Sequence, residues 1–467
     1  MANNFYKPLQ IIFDGVTDGI HSITESLTRK DPHSASFGKA SEIGSIFESG
    51  VQIGKHVKIS KSESYQNTVI FGVPGSGKTT RFIIPNIYEA KNASYCINDP
   101  SGDIYAATSG ILSKRCDLKV LNYSSSRESS AYNPVARIRI MGDLYRLADA
   151  LVRLTIDKNS TDPFWGLQAR QILVTLLILL FYFPAKYRNL LNLNQLVKLL
   201  CSDPEKIDRW IIHTSDNQLI TDYKSIISLS DRTLQSCLAS VKSVLSFVED
   251  PQIARVTSFD TLNIQNIRRR PTALFLRNSI GSLKYVSILN GLFFEQFFSG
   301  LLNKMPQQSD LVLYNILDEA SSLYINNLAA FLANNRKYNI INILAIQTQH
   351  QLTSLYKDEA QDILSCCVSK IYLPGITEMS VLRDLEALSG KTTFTDKKGN
   401  KTVRSLITAP EIMSLGKDEA LILSGRNRLI KTRTLPYYKN LKYKEFIKMR
   451  PLQFRTDIPR YTMPLLH

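Results

Sequence analysis

The residues that could do chemistry most directly form a glycine-rich run that fits the phosphate-binding pattern G-x-x-x-x-G-K-[S/T]: Gly72, Val73, Pro74, Gly75, Ser76, Gly77, Lys78 and Thr79. The glycines let the backbone curl so that successive N–H groups point at phosphate oxygens. Lys78 would reach the β- and γ-phosphates, the Thr79 hydroxyl would ligate Mg²⁺, and Thr80 continues the nucleotide-binding segment. The alternative is a glycine-rich loop that binds no nucleotide. An apolar run before the motif and a helical pattern after it favour the nucleotide-binding loop.

Two adjacent carboxylates follow a second apolar run, Leu311–Leu317. At the end of a strand, Asp318 would hold the Mg²⁺ shell and Glu319 would polarise the attacking water. Acidic residues after strands are common, so the pair gains its meaning from the loop upstream. Together the two motifs favour hydrolysis over binding alone.

Two further polar residues lie in the same part of the chain. Gln347 follows the apolar run Ile343–Ile346, where it could sense the γ-phosphate or be a polar strand end without a role. Arg336 precedes that run. An arginine there can reach across a subunit boundary and stabilise charge in a neighbouring site, although its spacing alone favours a solvated side chain.

Short apolar runs alternate with helical patterns on both sides of a helical block, which predicts an α/β fold with a mainly parallel sheet. The predicted strands are Asn67–Phe71, Ser94–Asn98, Leu118–Asn122, Thr272–Leu276, Leu311–Leu317, Ile341–Ile346, Lys370–Leu373 and Ala420–Leu423. The helices predicted around them are Ile11–Ile23, Thr79–Ala90, Ile104–Lys114 and Leu283–Leu302.

From about Gly142 to Pro251, apolar residues recur at i, i+3 and i+4 spacing, which predicts an inserted all-α domain. The helices expected there are Asp143–Leu154, Pro163–Tyr182, Leu193–Leu200, Pro204–Ile212 and Asp231–Phe247. We therefore predict a discontinuous nucleotide-binding domain over residues 46–140 and 262–445, with the all-α domain over residues 141–261. An N-terminal leader over residues 1–45 and a C-terminal tail over residues 446–467 complete the chain.

The composition is that of a folded protein with a large excess of positive charge. The 467 residues include 57 Lys and Arg against 41 Asp and Glu, a net charge of +16. This balance suits a polyanionic partner, either nucleic acid or an acidic membrane face, or it reflects lysine-rich genomic composition. The six scattered cysteines form no C-x-x-C pair and indicate reduced thiols, without a zinc site or disulfide framework.

The sequence predicts a cytoplasmic protein unless a membrane segment was removed. Acidic residues in the first thirty positions argue against a signal peptide. The longest apolar run, Ile172–Phe183, is shorter than the roughly 20 residues that a spanning helix needs and fits a buried core helix better.

The ordered motifs resemble those of the type IV coupling proteins, the TraG/TraD-type ATPases of conjugation and type IV secretion. Besides the glycine-rich loop, the segments that carry the resemblance are His33–Gly38, Cys96–Asp103, Tyr132–Pro134, Leu317–Ala320, Ile346–Leu352 and Arg404–Thr408. The resemblance covers nearly the whole chain, roughly residues 33–435.

The resemblance implies a RecA-like P-loop NTPase domain with an all-α insertion, assembled as a homohexameric ring. It implies a motor that uses ATP and Mg²⁺ to deliver DNA–relaxase complexes or effector proteins into a secretion channel, beside type IV secretion components at the cytoplasmic face of the inner membrane. By position it implies these roles: Lys78 and Thr79 on nucleotide and Mg²⁺, Asp318 and Glu319 as the Walker B pair, Gln347 as sensor, and Arg336 as an arginine finger acting in trans.

Two departures from the family pattern are visible. Asp99-Pro100-Ser101-Gly102 stands where the family usually has Asp-Pro-Lys-Gly, which puts any role for that lysine in doubt. The transmembrane helices with which the family usually begins are absent, so attachment would come from partners or from a segment not present here. Two other functions stay open: a soluble adaptor that uses nucleotide as a switch with little turnover, and a DNA translocase of another system.

Two basic stretches suit a polyanion. Arg268–Arg270 and Lys391–Arg404 could face DNA in a pore or anionic lipids, or they could be solvated surface loops. The sequence contains no helix-turn-helix or zinc-finger pattern, so we expect contacts to the DNA backbone without sequence specificity.

Overall fold

The structure is a computed structural model that describes residues 34–55, 57–155, 163–278, 283–395, 400–425 and 427–459, with backbone alone at 283–285. The predicted helix Ile11–Ile23, most of the predicted leader and the last eight residues of the predicted tail lie outside these residues. The domain limits given above stay predictions.

The fold is organised by a nine-stranded sheet with the order β13-β12-β9-β3-β8-β7-β4-β6-β5. Strands β3 to β9 run parallel to one another, and β12 and β13 add an antiparallel edge. Two small hairpins, β1–β2 and β10–β11, lie outside this sheet. The strands are β1 (Gln52–Gly54), β2 (Val57–Lys58), β3 (Thr68–Phe71), β4 (Ala93–Asn98), β5 (Asp117–Leu121), β6 (Thr272–Leu276), β7 (Val312–Leu317), β8 (Ile340–Ile346), β9 (Ser369–Tyr372), β10 (Lys391–Thr395), β11 (Lys401–Ser405), β12 (Glu419–Ser424) and β13 (Ile430–Arg433).

The helices cover both faces of the large sheet. They are α1 (Lys61–Ser64), α2 (Ile84–Glu89), α3 (Asp103–Arg115), α4 (Met141–Thr155), α5 (Phe164–Phe181), α6 (Leu190–Ser202), α7 (Pro204–His213), α8 (Asn217–Ile227), α9 (Asp231–Leu245), α10 (Pro251–Val256), α11 (Leu283–Leu302), α12 (Leu328–Asn334), α13 (Gln349–Tyr356), α14 (Glu359–Ser365), α15 (Met379–Leu388), α16 (Ala409–Met413) and α17 (Lys444–Ile447).

Side chains of strand β3 pack alternately into the hydrophobic cores on the two faces of the sheet. Val69 and Phe71 belong to the core shared with α11 and the helical block, whereas Ile70 belongs to the core under α2 and α3. This division follows from the two-residue period of side chains along a strand. Because all four residues of β3 are buried, the strand reads as a continuous apolar run, as is typical of parallel sheets covered by helices.

In the described residues between β5 and β6, the chain forms only helices and turns. Its central helix α5 packs against α4, α6, α8 and α9. Among the described residues, α5 is the one helix long and apolar enough to cross a membrane, and half of it is buried inside the protein. A core helix of this kind passes the same length and composition test, so the finding is weak evidence for a span.

All eight predicted strands are present, each with ends within one residue of the predicted ones. Several local features differ from the sequence prediction, among them the hairpin β1–β2 and the edge strand β13, which were not predicted. Helix α8 was not foreseen, the helix predicted from Thr79 opens with a π-helical turn over Thr79–Ile83, and the basic stretch Lys391–Arg404 forms a hairpin rather than a loop. The widest difference concerns Arg268, which is buried and donates from Nε to Leu311 O at 2.9 Å, so it faces no polyanion.

Three buried asparagines cross the sheet in a line. Asn342 on β8 donates to Asn67 Oδ1 at 2.7 Å, and its own oxygen accepts from Asn315 of β7 at 2.8 Å. Asn67 donates in turn to the carbonyls of Leu332 and Cys366. The amides therefore join the strands that precede the glycine-rich loop, the acidic pair and Gln347.

We predict that Asn342→Ala lowers the free energy of unfolding by about 2–4 kcal/mol, because it leaves the buried Asn67 Oδ1 and the buried Asn315 Nδ2 without the partner that each has in Asn342. Urea unfolding followed by circular dichroism measures the change. The exposed Asn303→Ala is the matched control and should shift stability by less than about 0.5 kcal/mol. Equal midpoints for the two variants would contradict the structural role of the asparagine line.

Candidate functional site

The candidate site lies at the carboxyl edge of the sheet, where three neighbouring strands end. Gly72 follows β3, Gln347 follows β8 and Asp318 follows β7. These strands are adjacent in the order β3-β8-β7, so their ends meet at one edge. Parallel packing thus brings together residues far apart in the sequence, as ligand sites of open α/β sheets require.

The glycine-rich loop adopts backbone angles and close approaches that suit glycine. Gly75 and Gly77 have φ of +77° and +99°, in the left-handed region. A Cβ on Gly72 would lie 2.4 Å from Ser76 Oγ, so the curl of the loop leaves no room for a side chain there. The Ser76 hydroxyl is buried without a hydrogen-bond partner inside this curl. The loop is therefore tightly curled, with a spare buried hydroxyl, which is the conformation that an anion-binding loop requires.

Lys78 is buried and folds back over the loop. Its ammonium donates to Gly72 O at 2.6 Å and lies 3.5 Å from Val73 O. Burial lowers the pKa of Lys78, and the charges of Asp318 and Glu319 oppose this effect. A buried ammonium bonded to neutral carbonyls is available to a stronger, anionic partner such as a phosphate.

Thr79 and Asp318, the two residues predicted to hold the metal ion, are bonded to each other. The Thr79 hydroxyl donates to Asp318 Oδ2 at 3.1 Å. Burial raises the pKa of Asp318 to about 6, which the Thr79 hydrogen bond and the Lys78 charge partly offset. A hydroxyl beside a carboxylate is the hard oxygen donor set that Mg²⁺ prefers, with water and phosphate completing the octahedron.

Glu319 occupies a strained position next to this pair. Its φ is +53°, in the left-handed region that non-glycine residues seldom adopt, and its N–H donates to Asp318 Oδ1 at 3.2 Å. Gln347 Nε2 donates to Glu319 Oε1 at 3.4 Å. Both residues line a cleft of about 530 Å³ together with Ser321 and His350. Glu319 therefore borders an open space that water can enter.

The other predicted site residues are placed differently. Pro74 and Gly75 form the exposed tip of the loop, and the Thr80 hydroxyl lies 3.5 Å from Gly77 O, turned back onto the loop. Arg336 is exposed in a 3₁₀ turn just before β8, at the opposite edge of the sheet from Gln347. At about 3.3 Å per residue the length of β8 separates it from this chain's own site by about 20 Å.

Asp99 turns out to have a structural role at the same edge. Its carboxylate is fully buried and accepts from the N–H groups of Gly102, Ile104 and Tyr105, at the start of α3. Burial raises the pKa of Asp99 to about 6, and the backbone hydrogen bonds partly offset this. Ser101, at the position of the missing lysine, accepts from Asp103 N–H at 3.2 Å. This segment is held by helix capping, which the sequence pattern alone did not indicate.

The chain was compared with known proteins. A family model described as type IV secretory system conjugative DNA transfer matches residues 21–457. A search of curated protein sequences found no match.

Solved structures match over most of the chain. The bacterial conjugative coupling protein TrwBdeltaN70, with sulphate, gives a TM-score of 0.69 at 17% identity over 87% of this chain and 95% of that chain. The plasmid coupling protein TrwB in complex with ADP and Mg²⁺ gives 0.67 at 16% identity with the same coverage. VirB4 of Thermoanaerobacter pseudethanolicus gives 0.53 at 13% identity over 86% and 100%. At these low identities the structural similarity shows the fold alone. It confirms the predicted RecA-like P-loop NTPase fold, with a mainly parallel sheet and a helical insertion.

We predict that Asp318→Asn raises the free energy of unfolding at pH 7.5, in EDTA and without nucleotide, by about 1–3 kcal/mol. The folded-state pKa of Asp318, about 6, exceeds the ordinary value of 3.8, so the ionised carboxylate destabilises the folded state above that pH. The gain should shrink as the pH falls from 6 to 4, because the buried carboxyl is then protonated and uncharged in the folded state, and it should vanish below pH 3.8, where both states are protonated.

Urea unfolding across this pH range measures the gain, with the exposed Asp457→Asn as the matched control. A loss of stability for Asp318→Asn at pH 7.5 would show that the buried carboxylate is stabilising, contrary to this account.

Proposed function

The chain belongs to the conjugative DNA transfer family of the type IV secretory system, as its motifs indicated, and on this premise we propose that it is an ATP-hydrolysing coupling protein. Such a motor recruits DNA–relaxase complexes or protein effectors and delivers them to a secretion channel. The observation that carries the hydrolytic part of the proposal is the cluster at the carboxyl edge, where Glu319 contacts both Asp318 and Gln347 beside the glycine-rich loop.

We propose that the glycine-rich loop binds ATP, with Lys78 on the β- and γ-phosphates and Thr79 and Asp318 on Mg²⁺. Support comes from the tight curl of the loop, from the Thr79–Asp318 pair, and from the relative TrwB, which was solved with ADP and Mg²⁺ and with an ATP analogue. When bound, the metal ion neutralises charge that develops on the phosphates. Lys78 would exchange its carbonyl partners for phosphate oxygens, a stronger charge-assisted interaction.

Glu319 is then the residue that acts on the attacking water. It borders the cleft, and the Gln347 amide fixes one of its carboxylate oxygens, which leaves the other to accept a proton or a hydrogen bond from water. The strained backbone of Glu319 suits a residue whose direction is set by function. Gln347 thereby links the end of β8 to the reacting group, which is the arrangement that a γ-phosphate sensor needs.

We propose that the protein works as a homohexameric ring in which Arg336 completes the site of a neighbouring subunit. Arg336 cannot reach the site of its own chain because the length of β8 separates them. Its exposure at the opposite edge suits a head-to-tail contact, in which one subunit's amino edge meets the next subunit's carboxyl edge. A guanidinium delivered in this way would stabilise transition-state charge on the phosphates.

The family also bears on partners and location. We propose that the protein acts at the cytoplasmic face of the inner membrane together with type IV secretion components, and that it contacts DNA through its backbone. The net charge of +16 supports a polyanionic partner. The adaptor with little turnover and the translocase of another system are not favoured by the family match.

Steady-state ATPase activity tests the catalytic assignment. We expect Glu319→Gln to lower the turnover number by about 10²–10⁴-fold, because a general base is lost while nucleotide binding is retained. Lys78→Ala should lower activity by at least about 10²-fold through lost phosphate contacts. The assay is run with and without single-stranded DNA, with Asp457→Asn as a matched surface control. A wild type no faster than Glu319→Gln would favour the nucleotide-switched adaptor.

Mixing of inactive subunits tests Arg336. Arg336→Ala and Lys78→Ala rings should each be inactive, whereas co-assembled rings regain activity because about one interface in four then pairs an intact loop with an intact arginine. The neighbouring exposed Lys337→Ala is the matched control and should be active alone. Absence of rescue at any mixing ratio would contradict a role in trans.

A further inference from the structure

The hairpin β10–β11 contributes no residue to the hydrophobic clusters of the protein. Its five antiparallel pairs run from Lys391–Ser405 to Thr395–Lys401, and none of its ten strand residues is buried. Phe394 and Val403, on opposite faces, are 51% and 69% exposed. A two-stranded ribbon with two exposed faces gains little from packing, so its surface is available to a partner.

The base of this ribbon is held firmly. Ala35 N–H donates to Lys391 O at 2.8 Å, and Ser34 Oγ accepts from Thr393 N–H at 3.1 Å. On the other strand, Arg404 forms an ion pair with Glu411 of α16 at 2.8 Å. These contacts attach the ribbon to the neighbouring segments, which reduces the ordering that binding of a partner requires.

The side chains of the ribbon are mainly basic or hydroxyl-bearing. Its ten strand residues include three basic residues and four threonines, and none of the ten is acidic. The Arg404 guanidinium lies 5.3 Å from the centre of the Phe394 ring, so an aromatic face and a planar cation are stacked together in solvent. Lysines and threonine hydroxyls bind phosphate oxygens, and exposed aromatic and guanidinium planes stack on unpaired bases.

We propose that the hairpin β10–β11 is a contact surface for single-stranded nucleic acid. A base stacks on Phe394 on one face, and the strand passes over the ribbon edge so that its phosphates contact Lys391 and Lys401, which the pairing register places on the other face. The inference rests on the proposed function, since it assigns the surface through which a DNA-delivering motor holds its strand. A single strand is favoured over a duplex because the stacked pair needs an unpaired base face. In the other basic run, Arg268 is buried and Arg270 is paired with Asp117 at 3.3 Å, so less of that run is available to a polyanion.

Fluorescence anisotropy with a labelled oligothymidylate tests the surface without any hydrolysis. We expect Phe394→Ala to weaken binding by about fivefold or more through lost stacking, and Phe394→Trp to retain wild-type affinity. The double variant Lys391→Glu, Lys401→Glu should reduce the slope of log affinity against log salt by about 1.4, the value for two lost phosphate contacts on a single strand. Lys304→Glu, at an exposed position far along the chain, is the matched charge control.

Melting temperatures of the variants equal to the wild type would establish that the fold is intact. Unchanged affinity and salt slope in both hairpin variants, or wild-type protein that does not bind the strand, would overturn the inference. The inference would also be overturned if the hairpin variants lost affinity for duplex DNA or anionic vesicles as strongly as for the single strand, or if their only change were in oligomeric state. Failure of the proposed motor would instead appear as absent ATPase activity with the hairpin-dependent binding intact.

Discussion

The structure depends on the burial of three ionisable side chains at one edge of the sheet. Lys78, Asp318 and Asp99 are all buried at the carboxyl edge of the sheet, and burial moves the pKa of each toward its neutral form. Among the residues that the structure describes, none of the three has a direct ion pair: the lysine bonds to loop carbonyls, Asp318 to a threonine hydroxyl, and Asp99 to backbone N–H groups. A polyanion bound at this site would pair with the Lys78 ammonium, and a divalent cation would pair with the Asp318 carboxylate, so that both buried charges would be compensated.

The surrounding fold holds these groups in place although they are far apart in sequence. Thr79 and Asp318 are 239 residues apart, with the whole helical block between them. Their meeting follows from strand order, because β7 and β8 lie beside β3, and from the buried asparagines that cross the same three strands. Buried amides need partners, so a shift of one strand relative to the next would cost several hydrogen bonds at once. The register of the sheet thereby sets the geometry of the site.

The sequence predicted the parts that depend on local pattern. The eight strands, the glycine-rich loop and Asp318 and Glu319 were all found, because burial on both faces makes each parallel strand a distinct apolar run. Long-range placement was harder. In the sequence, Arg268 is part of a run of three arginines that suggests a basic surface. In the structure its guanidinium is buried and donates to the carbonyl of Leu311, just before β7. The hairpin was missed because its threonine-rich strands lack the apolar alternation that marks a half-buried strand. The link between Gln347 and Glu319 belongs to tertiary structure and has no signature in either segment.

The end of β8 also connects the site to the hairpin through a continuous bonded path. Just after Gln347, the N–H groups of Gln349 and His350 donate to the carboxylate of Glu378, at 2.9 and 3.0 Å. Glu378 immediately precedes α15, a helix of ten residues that spans about 15 Å and ends next to β10. Charge-assisted bonds and a single helix are stiffer than a loop. If the Glu378 bonds hold when the Gln347 segment shifts, the amino end of α15 is drawn with it, and the helix carries the displacement toward the base of the ribbon.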